Sequence, residues 1–180
     1  PSEGVAYVTM ARLAEHAEGS GDVVRAIERV AMANASMELR AAWLRRAALF
    51  AGPSEEGQRQ RIEVLLRALS VRGDASSLRA LADACASLLL TVPEDRETLI
   101  LRFSKAIESL LSKADGPEGA RMGIAAATAA LGTFAAPDLA LSALSHAYGS
   151  DGDLEEYESL FDDAASLARA PSAPATVAKL

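Results

Sequence analysis

The turn signals constrain this chain more than anything else in it. Gly19-Ser20-Gly21, Gly52-Pro53, Gly73-Asp74, Pro93, Gly116-Pro117, Pro137 and Gly149 recur at intervals that leave helix-sized pieces and almost no loop between them. The pieces predict nine helices, at about 5–18, 22–34, 37–51, 54–72, 75–91, 93–114, 117–135, 137–149 and 153–169. Asp22 is expected to cap the second and Ser54 to precede the fourth, while Pro93, Pro117 and Pro137 suit first turns, where a missing N–H costs nothing. Apolar spacing agrees. Leu39, Trp43, Ala47 and Phe50 share one helical face, as do Ile62, Leu65, Leu66 and Leu69. So do Leu78, Leu81, Ala82, Cys85, Leu88 and Leu89, and then Leu99, Phe103, Ile107, Leu110 and Leu111. Connections this short turn each helix back along the previous one, giving a string of antiparallel hairpins.

Composition closes the alternatives. Among 180 residues there are 39 Ala and 24 Leu but only 14 Val plus Ile, and no β-branched run exceeds pairs such as Val23–Val24. A buried parallel sheet needs such runs, so the fold class is all-α. Residues 1–170 are expected to form one helical domain, with a Pro/Ala-rich tail or linker over 171–180.

The net charge of −7 argues against a general nucleic-acid binder. Asp151, Asp153, Glu155, Glu156, Glu158, Asp162 and Asp163 fall in a stretch without Lys or Arg; it reads as a solvated helix face or as a docking surface for a basic partner. The 16-residue uncharged run from Met122 to Pro137 is too short and too alanine-rich to span a bilayer. Pro1-Ser2-Glu3-Gly4 does not begin a signal peptide, so the expected compartment is the cytoplasm, and the chain reads as a piece of a longer parent whose targeting segment could lie outside it. Cys85, on an apolar stripe, is expected in the core, and His16 and His146 have no metal-ligand spacing. HExxH, CxxC, GxSxG and phosphate-binding glycine loops are all missing, so the chain is read as no enzyme, with no cofactor and no metal.

The first pair of helices contains Met10-x2-Leu13-Ala14-x2-Ala17, then Gly21-Asp22, then Ala26-Ile27, Val30 and Ala33. The same spacing returns as Leu141-x2-Leu144-Ser145-x2-Tyr148, Gly152-Asp153, Tyr157, Phe161 and Ala164. A partial version is Trp43-x2-Arg46-Ala47-x2-Phe50, followed by Leu65, Ala68 and Leu69. This pattern resembles the tetratricopeptide repeat. In that reading Ala14, Ala26 and Ala33 sit where two helices approach most closely, and the turn glycine takes a left-handed conformation. Arg46 stands where a Leu is expected, Glu38 and Arg169 stand where a Pro is expected, and the repeat phase slips across 90–137.

The resemblance implies a right-handed α-α superhelix that holds a partner protein or peptide on a concave face lined by the first helix of each pair. The corresponding residues are Val8, Ala11, Arg12 and Glu15, then Ala41, Leu44, Arg45 and Ala48, then Leu139, Ser142 and His146; packing positions between helices are the competing assignment. The family's carboxylate clamp uses Asn and Lys. Only Arg12 and Arg45 offer a matching charge here, which disfavours that ligand. Trp43 reads as core rather than as a partner anchor, and Gly119 and Gly123 read as a close approach between helices. The alternatives are an intramolecular spacer or regulatory segment of a larger protein and, from another class, a helical enzyme or small-molecule pocket.

Overall fold

The computed structural model describes residues 20–33, 36–150 and 155–169. Among them there are eight α-helices, one short 3-10 turn and no strand. The helices are α1 (Ser20–Ala33), α2 (Met37–Leu49), α3 (Glu55–Val71), α4 (Ala75–Leu89), α5 (Arg96–Leu111), α6 (Gly116–Gly132), α7 (Pro137–Ser150) and α8 (Glu155–Arg169). The segment expected over 5–18 lies outside the described residues. The chain divides into two compact units, Pro1–Lys113 and Ala114–Leu180.

In the first unit α3 is the hub, packing on α1, α2, α4 and α5. Its start is fixed locally: the Ser54 hydroxyl accepts from the Gly57 N–H at 3.2 Å, and Glu55 and Glu56 lie in the first turn, where the helix dipole favours them. Gly57 is required there, because a Cβ would come within 2.1 Å of the Gly52 carbonyl oxygen. The inward faces of α3, α4 and α5 supply Ile62, Leu65, Leu78, Leu81, Leu88 and Phe103, each at most 1% exposed. Every α5 residue expected on the apolar face is buried. On α2 the buried set is Ala41, Trp43, Leu44, Ala47 and Ala48, and Leu39 is left 40% exposed.

One feature expected of this segment, its turn and cap, is corrected. The buried stripe of α1 is Val23, Val24, Ile27 and Ala31, while Ala26 and Ala33 are exposed; the helix expected to approach them, over 5–18, lies outside the described residues. Burying the larger aliphatic side chains removes more apolar surface from water, and that sets the helix's rotation. Gly21 lies inside α1 and Asp22 in its first turn, so neither forms the expected Gly-Asp turn and cap. Gly116 is the one glycine with positive φ among the described residues.

The helix expected over 93–114 opens with a separate 3-10 turn, Pro93–Asp95, in which the Asp95 N–H donates to the Val92 carbonyl. Asp95 makes no capping bond to α5, because its carboxylate pairs with Arg59 of α3 at 2.5 Å.

Ion pairs join helices two apart in the first unit. Arg67 of α3 pairs with Glu28 of α1 at 2.6 Å, and Arg102 of α5 pairs with Glu63 of α3 at 2.6 Å. Glu63 lies 35 residues after Glu28, and Arg102 lies 35 residues after Arg67. The same acid–base arrangement is therefore built twice, 35 residues apart.

In the second unit α6 packs on α7, and α8 packs on both. Helix α6 is buried on nearly all sides, by Gly119, Ala120, Met122, Gly123, Ile124 and five alanines. Gly123 sets the spacing, since a Cβ there would lie 2.7 Å from the Ala143 carbonyl oxygen and 2.8 Å from the Ala147 Cβ. The internal close approach expected of this glycine is what the structure has. After α6 the chain turns through Ala135 at φ 44°, with the Ala136 N–H donating back to the Ala130 carbonyl and Phe134 fully buried beneath the turn. On α8, Ala164 is buried, whereas Glu158, Asp162 and Asp163 face solvent.

Candidate functional site

The residues of the expected concave face separate into three groups. Val8, Ala11, Arg12 and Glu15 lie outside the described residues. In the first unit Ala41, Leu44 and Ala48 are at most 2% exposed, so they pack the interior, and Arg45 is half-buried. In the second unit Leu139 is half-buried, Ser142 is exposed, and His146 Nε2 lies 3.0 Å from the Ala114 carbonyl oxygen, which ties α7 to the start of that unit.

Arg45 and Ala48 meet in one cleft of about 370 Å³ between α2, α3 and α4. Its apolar wall is Ala42, Ala48, Leu65 and Ala80, with Leu49, 73% exposed, at the rim. Its polar residues are Arg45, Arg46, Arg61 and Ser76, and no acidic side chain among the described residues lines it.

The three arginines differ in what already holds them. Arg45 pairs with the Asp74 carboxylate and donates to the Ser77 hydroxyl at 3.1 Å. Asp74 is also the N-cap of α4, accepting from the Ser77 N–H at 2.7 Å. Ser77, fully buried, completes the set by donating its hydroxyl to Asp74 at 3.1 Å. Arg45 is thus committed to the end of a helix. Arg46 lies over the Trp43 ring, 5.2 Å from its centroid, an arrangement attractive through the ring quadrupole. Arg61 has no ion pair among the described residues, and its Nε is buried without a hydrogen-bond partner.

Neighbouring depressions are electrically balanced. A cleft of about 320 Å³ that shares Arg45 and Ser76 also contains Glu38, Arg72 and Asp74, and its charges close as the pairs Arg45–Asp74 and Arg72–Glu38. A broader one of about 660 Å³ over α1 and α3 includes the Arg67–Glu28 pair. The first cleft alone of the three carries cations without acids.

Sequence reasoning reached Arg45 and Ala48 but missed Arg61 and Ser76. Arg46 did carry a signal, as the charge standing where the repeat pattern expects Leu. Arg61 carried none, because an arginine within Gln58-Arg59-Gln60-Arg61 looks like any solvated helix face.

For nucleophilic or metal chemistry the described residues provide little. Cys85 is 2% exposed and burial pushes its thiol from the ordinary 9.0 up to about 12, so it is protonated at neutral pH. No three His, Cys, Asp or Glu side chains converge among the described residues, and no described helix is long and apolar enough to cross a membrane. No family model, curated protein or solved structure matches the chain.

Proposed function

We propose that this chain is a protein-interaction module: an array of tetratricopeptide-like helical hairpins, stacked in a right-handed sense, that holds a peptide segment of a partner protein and performs no chemistry of its own. The observation that carries this reading is the cleft between α2, α3 and α4, which joins an apolar wall to Arg61, a cation with no ion pair among the described residues, and includes Arg45 from the expected ligand face. Pockets that combine apolar area with a few convergent polar groups are the usual seats of ligands. The Glu28–Arg67 rung, repeated 35 residues later as Glu63–Arg102, supports the repeat reading.

The test is selection of peptides from a display library on the whole chain, followed by titration of the selected peptides. Ala80→Phe, which plugs the cleft from α4, is expected to weaken their binding at least tenfold with the helical circular dichroism unchanged. Undiminished binding by that variant would move the binding surface elsewhere on the chain.

A further inference from the structure

The cleft's charge identifies what it takes. Two of its three guanidinium groups are already engaged, Arg45 by Asp74 and Ser77 and Arg46 by the face of Trp43. Arg61 remains, a cation whose buried Nε has no acceptor among the described residues. A buried donor without a partner carries the full cost of its desolvation, and an acceptor arriving with a ligand removes that cost. One unpaired guanidinium matches one carboxylate in charge and in its two-pronged geometry. The apolar wall beside it fits a large apolar side chain of the same ligand.

We infer that the occupant of the cleft is an acidic peptide segment, with an Asp or Glu carboxylate bound at Arg61 and an adjacent apolar side chain against Leu49 and Ala80. This rests on the peptide-binding reading above and adds the sign and identity of the ligand group. The structure also supplies a reporter. Trp43 is the only tryptophan in the chain, and the Arg46 group lying on it belongs to the cleft lining. A carboxylate drawn into the cleft changes the field at Arg46, and with it the Trp43 emission.

The experiment uses the whole chain and the library-selected peptides. Sequences enriched in Asp and Glu beside Leu, Ile or Phe are expected. The best of them is then made in four forms, with Glu, Gln, Lys or phosphoserine at the acidic position, and each is titrated against Trp43 fluorescence at low and moderate salt. The Glu form should bind at least tenfold tighter than the Gln and Lys forms, and no weaker than the phosphoserine form. Arg61→Gln should remove that tenfold preference while Arg61→Lys keeps part of it, with both variants showing wild-type circular dichroism. Equal binding of the Glu and Gln forms, or a preference that survives Arg61→Gln, overturns the acidic occupant and leaves peptide binding standing. Preference for phosphoserine overturns the carboxylate assignment. Failure to select any peptide overturns both readings.

Discussion

At the scale of single residues, two positions carry energies that experiment can reach directly. Ala135 holds φ at 44°, a region where a Cβ crowds the backbone and costs ~1–2 kcal/mol. Glycine has no such cost, so Ala135→Gly is expected to stabilise the second unit by ~1 kcal/mol, read as a higher thermal midpoint. The turn is held by the buried Phe134 and by the bond from the Ala136 N–H to the Ala130 carbonyl. Cys85 gives a prediction in pH. Its thiol is raised from 9.0 to about 12 in the folded chain, so the contribution of the neutral thiol is complete below pH 9 and declines as pH climbs toward 12. Urea unfolding of the wild type and Cys85→Ala should diverge across that window, with the wild type losing up to ~1.4 kcal/mol per pH unit more than the variant. Parallel pH dependences would mean that the thiol titrates alike in both states.

At the scale of elements, close approach and capping set how the helices meet. Gly123→Ala places a methyl against backbone of α7, which cannot yield as a flexible side chain would, and is expected to destabilise by ~1–3 kcal/mol in denaturant unfolding. An unchanged midpoint would show that α6 and α7 slide apart freely. Most of this level is readable from the sequence. Helix existence and turn positions follow from Gly and Pro punctuation, and the α5 stripe Leu99, Phe103, Ile107, Leu110 and Leu111 is buried as its spacing requires. Rotation was less legible. Ala26 and Ala33 are exposed, and α1 is oriented by the burial of Val23, Val24 and Ile27, which the alanine spacing did not show. The cleft was legible only in part, because whether an arginine is compensated depends on side chains far away in sequence: Asp74 neutralises Arg45 from 29 residues on, and no such partner among the described residues reaches Arg61.

At the scale of the molecule, charge and compactness share a boundary. Residues 1–113 carry 15 basic and 15 acidic side chains, and residues 114–180 carry 3 and 10, so the whole net charge of −7 belongs to the second unit. Like charges at that density oppose a compact state, and salt screens them. Trp43 lies in the first unit and helices lie in both, so fluorescence and circular dichroism report different parts of one unfolding experiment. Added salt is expected to raise the midpoint seen by circular dichroism and leave the Trp43 midpoint nearly fixed. Coincident midpoints that move together would show the chain unfolding as one cooperative body. The boundary after Lys113 falls within 90–137, the stretch that fits the proposed repeat pattern least, and the 35-residue rung lies wholly before it. That rung carries a rule for growth. Tandem duplication of one 35-residue stretch would copy an acid and a base already in register, so this part of the chain could lengthen by a fixed increment without inventing a new contact. An insertion within one of these helices that is not a whole number of turns would rotate an acid or a base away from its partner.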